Sequence, residues 1–316
     1  MHTTGASLFF AVVYLHMFRG LLYGSYQKPK ELVWIFGCTI YLAMMAEGFL
    51  GYVLPYGQMS YWGAQVIISL FGAIPYIGES LELWVRGDYY ISGITVSRFF
   101  ALHVVALPLV LIALVFLHLV ALHEVGAGNP EGVDIEKYLD EDGVPLDSVP
   151  FFPYKVLNAL VAIGVFMTVF SIIMFFFPEG GGYFIEMANF QEANPLVTPD
   201  HIAPVWYYAP FYTMLRAIPD PLGGLIVMAA AVAIFFVVPW LDRSKVASIR
   251  YKGIFSKIAI TMFGVSFLTL GYLGTVGVTE VRKTMSVICT VIYFAFFLLM
   301  PIYTKYEKTG VVPERL

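Results

Sequence analysis

Four of the six histidines form two pairs with a helical spacing, His2 with His16 and His103 with His118. An α-helix turns about 100° and rises about 1.5 Å per residue, so a gap of 14 residues returns to nearly the same face about 20 Å along, while a gap of 15 overshoots by about 60°. Two such helices side by side would offer two His–His clamps, each able to hold a flat cofactor through its iron. The pattern predicts electron transfer across a membrane.

The composition supports a membrane protein. The chain is 59% hydrophobic and 13% charged, far from the averages of soluble domains. A net charge of −4 argues against a nucleic-acid partner. Cys38 and Cys289 lie in separate apolar runs, so a disulfide framework is excluded.

Seven apolar runs have the length of about 20 residues that a membrane-spanning helix needs. They are Gly5–Tyr23, Leu32–Leu54, Ser97–Leu122, Val156–Phe177, Leu222–Leu241, Ile254–Val276 and Met285–Tyr303. The apolar stretch Tyr61–Pro75 is too short and too rich in Gly and Pro to span, which favours short surface helices. The sequence therefore predicts an all-α, polytopic helical bundle in the lipid bilayer.

Charged loops predict the orientation of the spans. Lys and Arg concentrate after spans one, five and seven, which the positive-inside rule makes cytoplasmic. The acidic loop Glu131–Asp147 lies on the same side, but acidic residues weigh little in this rule. His2 and His103 are then expected near the outer face, and His16 and His118 near the inner face.

Several motifs follow one another along the whole chain. They are YLHMFRGLLYGSY in span one, GYVLPYGQMSYWGAQVI after span two, HEVGAGNP after span three, and ANPLVTPDHIAPVWY and LRAIPDPLGG before span five. With these motifs in this order, the sequence resembles cytochrome b, the quinol-oxidising core of cytochrome bc complexes. Family members have eight spans, so the resemblance implies that the first is missing here. It divides the chain into a di-haem part (1–125, with surface helices at 55–92), an acidic cytoplasmic loop (126–155) and a C-terminal transmembrane part (156–316, with an outer quinol-site loop at 178–221).

The resemblance implies two non-covalent b-type haems between helices of the N-terminal half. The outer haem would be held by His2 and His103, and the inner one by His16 and His118. Arg19 and Arg98 match arginines that the family uses for haem propionates, although either could equally contact lipid headgroups.

Two glycines of span two repeat the spacing of the first histidine pair. Gly37 and Gly51 are 14 residues apart, and a helix passing the face of a porphyrin needs residues without Cβ at the closest approach. Ordinary packing of small residues between helices is the alternative.

The resemblance places a quinol-oxidation site at the outer face. The matching positions are Tyr52, Gly63, Ile67, Tyr212 and the tetrapeptide Pro204, Val205, Trp206 and Tyr207. The tetrapeptide is usually Pro-Glu-Trp-Tyr, and its glutamate is thought to take a proton from quinol. Val205 cannot do this, so another acceptor is expected.

Glu47 is the acceptor that the sequence suggests first. It lies inside span two, about one turn deeper than Gly51 on the same face, and a carboxylate in lipid is costly without a role. The alternative is a glutamate hydrogen-bonded to a neighbouring helix or to the haem surroundings.

At the inner face, the resemblance implies a quinone-reduction site. His123, five residues after His118, matches a quinone-binding histidine. The usual aspartate partner aligns with Asn158, which can form a hydrogen bond but cannot deliver a proton.

Two departures from the family concern the histidines themselves. The gap of 15 between His103 and His118 exceeds the mitochondrial gap by one residue, located before Pro108, and a π-bulge there would restore the register. His2 follows Met1 directly, so a fragment or misplaced start is expected, and a chain truly starting there should bind the outer haem weakly.

The resemblance implies the cytochrome b subunit of a bacterial ubiquinol–cytochrome c reductase in the cell membrane. Ubiquinol would be the substrate, and a Rieske iron–sulfur subunit and a cytochrome c-type subunit the partners, in a homodimer of the complex. Alternatives are a different di-haem membrane anchor of a quinone-linked oxidoreductase, or a transporter whose histidines relay protons. A transporter would show no b-type haem spectrum.

Overall fold

The computed structural model describes residues 1–316. Its regular elements are all helices, with two isolated β-bridges and no strand. In chain order its helices are α1 (His2–Tyr23), α2 (Glu31–Val53), α3 (Gln58–Ser69), α4 (Gly78–Arg86), α5 (Gly93–Val125), α6 (Val156–Phe176), α7 (Ala209–Ala217), α8 (Pro221–Leu241), α9 (Ile254–Thr275), α10 (Glu280–Leu298) and α11 (Met300–Tyr306). Seven are long and apolar enough to cross a membrane: α1, α2, α5, α6, α8, α9 and α10. The predicted all-α membrane bundle is confirmed.

The predicted bounds fail at the seventh span. The helix begins at Glu280 instead of Met285, because the hydroxyl of Thr279 accepts a hydrogen bond from the backbone N–H of Arg282 and caps it. It ends at Leu298, and a separate short helix follows with Pro301 in its first turn. The charged side chains of the first turn hid this start from a search for apolar runs.

One turn of α5 departs from α-helical geometry. Residues Leu102–Ala106 form a π-helical turn directly before Leu107 and Pro108. A π-turn accommodates one extra residue without ending the helix. The bulge is therefore confirmed between His103 and Pro108, where the sequence predicted it.

On one side of the bundle, the long segment between α6 and α7 is fastened to α3. Asn189 Oδ1 accepts a hydrogen bond from the backbone N–H of Ser60 at 2.8 Å, and the backbone N–H of Gln58 donates to the Gln191 carbonyl at 3.0 Å. The surface helices α3 and α4 lie in the predicted region, and α3 buries Met59 and Ile68 completely. Together these contacts fix a long irregular segment over the end of α2.

On the other side, acidic and basic loops meet. Glu131 accepts hydrogen bonds from Arg250 and Tyr251, and Ser248 Oγ donates to the Pro130 carbonyl at 2.6 Å. The acidic loop thus lies on the same side as the basic segment between α8 and α9, and part of its charge is neutralised there.

A buried ion pair anchors that basic segment. Lys252 Nζ lies 2.5 Å from Asp242 Oδ2, and the two side chains are 5% and 0% exposed. Burial opposes ionisation of Asp242, but Lys252 and a hydrogen bond from the Tyr26 hydroxyl hold its pKa below the ordinary value. The Tyr26 hydroxyl, which donates to Asp242 at 2.7 Å, joins the α1–α2 turn to this α8–α9 connection.

Candidate functional site

The histidines of α1 and α5 face each other in two pairs. The ring centres of His2 and His103 are 6.1 Å apart, and those of His16 and His118 are 6.3 Å apart. An imidazole nitrogen binds a metal at about 2 Å and its ring centre lies about 1 Å further back, so two rings on opposite sides of one metal have centres about 6 Å apart. At these separations the two histidines of each pair would be able to hold one metal between their rings.

The π-turn explains how α5 presents both of its histidines to α1. In a regular helix a gap of 15 residues would turn His118 about 60° away from the face of His103. The wide turn at Leu102–Ala106 takes up the extra residue, and both pairs form. The register of the site therefore depends on five residues of backbone.

Helix α2 packs beside both histidine pairs, and the residues that it places next to the rings are glycines. A Cβ at Gly51 would lie 2.4 Å from His103 Cε1, and a Cβ at Gly37 would lie 3.4 Å from His118 Cε1. A side chain at either glycine would therefore press against a histidine ring. A flat group bound between the rings would meet α2 at the same level.

Glu47 holds the ring of His103. His103 Nδ1 is 3.0 Å from the backbone oxygen of Glu47 and 3.0 Å from its Oε1. A proton on Nδ1 can be donated to these acceptors, which leaves Nε2 free to bind a metal. The Glu47 side chain thus contacts His103 and does not line the outer cavity described below, and its role stays a prediction.

The inner pair opens into a cavity of about 290 Å³. Arg19, Lys30 and Gly37 are among its lining residues, and Arg19 Nη2 lies 3.3 Å from His16 Nδ1. Two cations beside paired histidines suit a metal-bearing ring with carboxylate substituents, such as haem. The predicted counterpart at the outer pair, Arg98, is exposed and donates to the Trp84 carbonyl at 3.0 Å.

A second, apolar cavity of about 520 Å³ lies between α2, α3 and α8. Six predicted residues line it: Tyr52, Gly63, Ile67, Pro204, Val205 and Tyr212. Trp206 and Tyr207 do not, because the chain turns through a 3₁₀ turn at Trp206–Tyr208. Tyr207 instead stacks on Phe10 with ring centres 3.9 Å apart.

The polar groups of this cavity are few. The hydroxyl of Tyr208 donates to the Met45 carbonyl at 2.7 Å, and that of Tyr212 donates to the Ile202 carbonyl at 3.3 Å. The hydroxyl of Tyr52 has no partner within the chain and is free for a ligand. A large apolar cavity with one free hydroxyl suits a flat, apolar molecule with polar ring substituents. Tyr208 was missed from the sequence, although it directly follows the tetrapeptide.

The predicted inner quinone residues form no hydrogen bond with each other. His123 and Asn158 are both exposed, and neither lines the cavity of the inner histidine pair. The inner quinone site stays a prediction.

Two family models match the chain in succession. Residues 7–210 match the model described as cytochrome b (N-terminal)/b6/petB, and residues 192–294 match cytochrome b (C-terminal)/b6/petD. Together they cover nearly the whole chain.

Individual relatives match this chain over all or nearly all of its length. Cytochrome b of Allochromatium vinosum is 55% identical, over 100% of this chain and 78% of the relative. A protein of Bradyrhizobium diazoefficiens named cytochrome b/c1 is 43% identical, over 100% of this chain and 44% of the relative. A solved structure titled "Hyperthermophilic respiratory Complex III" is similar with a TM-score of 0.89 and 36% identity, over 97% of this chain and 78% of that one.

The contacts of Gly37 and Gly51 predict that an added methyl group has a larger effect at one position than at the other. In Gly51→Ala the Cβ would overlap His103, whereas in Gly37→Ala the contact with His118 at 3.4 Å needs only a small adjustment. If each histidine pair holds one haem, as the resemblance implies, we expect Gly51→Ala to lose the spectrum of the outer haem and Gly37→Ala to keep both. Absorbance spectra of the reduced protein measure this, with Gly164→Ala, which meets nothing within 4 Å, as the control. Loss of both haems or of neither in Gly51→Ala would contradict the assigned contact.

The π-turn predicts that one deletion is tolerated and another is not. Deleting Val105 should convert the wide turn to α-helix, leave a gap of 14 residues and keep both haems. Deleting Val115 from the regular part of α5 should rotate His118 by about 100° and lose the inner haem. Haem content per chain is the measurement, and equal loss in both variants would contradict the role of the π-turn.

The contact of Glu47 with His103 predicts a shift in reduction potential. A carboxylate on the far nitrogen makes the imidazole a stronger donor and favours oxidised iron. Glu47→Gln should therefore raise the potential of the outer haem, by about 59 mV if the relative stability of the two redox states changes tenfold. A potentiometric titration measures it, and the inner haem is the internal control. An unchanged outer potential would mean that the backbone oxygen of Glu47 holds the ring alone.

Proposed function

The chain belongs to the cytochrome b family, multi-pass membrane proteins that bind b-type haem, and from this premise we propose that it is the quinol-oxidising subunit of a quinol–cytochrome c reductase. The observation that carries the proposal is that α2 contacts both the histidine pairs and the apolar cavity. One face of this helix contacts both histidine pairs, and Tyr52, Phe49 and Met45 on the same helix line the apolar cavity. The proposed oxidation site and the proposed path for electrons thus lie along the same helix.

The histidine pairs are the proposed haem ligands. His2 and His103 would hold an outer haem and His16 and His118 an inner one, with Arg19 and Lys30 beside the inner propionates and Arg98 near the outer end. When bound, the two haems supply a route for single electrons across the membrane. Glu47 orients His103, and Gly37 and Gly51 leave room for the rings.

The apolar cavity is the proposed site of quinol oxidation, with ubiquinol as substrate. Its size and lining accept a quinol ring and part of an isoprenoid tail, and the free hydroxyl of Tyr52 can bond to a ring oxygen. Oxidation there would be bifurcated. One electron would leave to a Rieske iron–sulfur subunit, and the other would cross this chain to a quinone at the inner face, near His123 and Asn158. Release of quinol protons outside and uptake inside would contribute to proton translocation.

The proposed partners follow from the same reaction. A Rieske subunit and a cytochrome c-type subunit would complete the electron path, in a homodimer of the complex in the bacterial inner membrane. The relative whose name joins cytochrome b to c1 and the similar structure titled as a respiratory Complex III support this assembly.

A bulky side chain in the apolar cavity tests whether quinol is oxidised there. A Cβ at Gly63 meets nothing within 4 Å, and Gly63 lines the apolar cavity, so the Gly63→Trp ring would occupy the space of the quinol. We expect quinol–cytochrome c reductase activity of the purified complex to fall by about tenfold or more, the factor that about 1.4 kcal/mol of lost binding produces.

The matched control is Gly164→Trp, at another open position, on α6, outside the cavity. Both variants should keep the b-type haem spectrum and differ only in quinol oxidation. A parent complex that shows haem but does not oxidise quinol would overturn the proposed function.

A further inference from the structure

A second cavity of about 250 Å³ adjoins the proposed quinol cavity. The two have a common wall, since Tyr52, Ala203, Pro204 and Val205 line both. The remaining lining comes mainly from the loop between α6 and α7, including Glu186, and from Thr275 at the end of α9. We call this second cavity the side chamber.

The side chamber differs from the quinol cavity in its chemistry. Tyr52, Tyr183, Thr275 and the carboxylate of Glu186 provide polar groups, and Gly181 and Gly182 expose backbone. A cavity of this size with several polar partners can hold water molecules. Protons could therefore move through it, which the apolar quinol cavity does not allow.

Glu186 is the one carboxylate that lines the side chamber. It is half-buried, and its side chain forms no hydrogen bond and no ion pair with the rest of the chain. The other titratable groups of the lining are Tyr52 and Tyr183, and no Lys, Arg or His lines it. Burial raises the pKa of Glu186 above its usual range, as suits a group that gains and loses a proton.

We propose that Glu186 accepts a proton released by quinol at the outer site, relayed by the hydroxyl of Tyr52, and passes it to water in the side chamber. This inference rests on the proposed function. The O–H bond of the quinol breaks as the Tyr52 oxygen gains its proton. Tyr52 gives its own proton to a water molecule in the side chamber, and that water gives one of its protons to the carboxylate of Glu186. The two electrons of the quinol leave by the routes given above.

This assignment accounts for the substitution in the tetrapeptide. Val205 has no acceptor atom, yet it lies in the wall that separates the two cavities. A carboxylate faces that wall from the chamber side instead. Glu47, the other carboxylate considered, is held by His103 on the opposite face of the site.

Glu186→Gln in the complete complex tests the proposal, with Glu179→Gln, an exposed carboxylate of the same loop, as the matched control. General-base groups contribute about 10²–10⁴-fold, so we expect quinol oxidation to fall by at least about tenfold in Glu186→Gln alone. Haem content and haem spectra should stay at the level of the parent.

The pH profile separates a proton acceptor from a merely structural residue. The parent rate should fall as pH decreases and Glu186 becomes protonated, starting at a higher pH than for an exposed carboxyl because the pKa of Glu186 is raised. Glu186→Gln should be slow at every pH and lack this acid limb. A variant that matches Glu179→Gln at every pH, or that is slow but keeps the acid limb, would overturn the proposal.

A second substitution should restore the activity that Glu186→Gln loses. Val205→Glu restores the family's glutamate in the same wall, so adding it to Glu186→Gln should recover most of the rate. A double variant as slow as Glu186→Gln, with haems intact, would count against a missing carboxylate as the cause. Failure of the parent to oxidise quinol would overturn the proposed function instead, so the two failures are distinguishable.

Discussion

Paired histidine rings lie about 6 Å apart at two levels of the bundle, and the positions of α1, α2 and α5 follow from this separation. Two rings can bind one metal only if α1 and α5 run side by side with their histidines in register at two levels. This requirement fixes the π-turn in α5, since without it the second pair would not form. It also fixes α2, where glycine is the residue that leaves the His103 ring in place.

Helix α2 links these clamps to the outer cavity. Its glycines and Glu47 face the histidines, while Met45, Phe49 and Tyr52 line the cavity. A ligand in the cavity and a cofactor between the rings would therefore lie on opposite sides of a single helix. The two would then be separated by about the width of one helix, about 10–12 Å with its side chains. The loop fastened to α3 closes the same end of the bundle and carries Glu186 into the side chamber.

Much of this arrangement could be predicted from the sequence because it is periodic. Apolar runs gave the seven spans, and a count of one extra residue before Pro108 located the π-turn. The start of α10 was missed, since a capping threonine followed by charged residues begins that helix. Trp206 and Tyr207 were expected in the cavity, but a 3₁₀ turn directs them elsewhere.

The positions of Glu47 and Glu186 in space could not be predicted from periodicity. Glu47 lies on a helix whose partner, His103, is 56 residues away in sequence, and only the packing of α2 on α5 brings them together. Glu186 lies in an irregular segment without a repeat, where position along the chain says nothing about position in space. In both cases the informative quantity is a contact between distant parts of the chain.

The electron paramagnetic resonance spectrum of the oxidised protein, combined with haem quantification, tests whether each histidine pair binds a haem. Two histidine clamps predict two haems per chain, both low-spin because two imidazoles bind each iron. A single haem per chain, or a high-spin signal from an iron with one histidine ligand, would contradict haem binding by both histidine pairs.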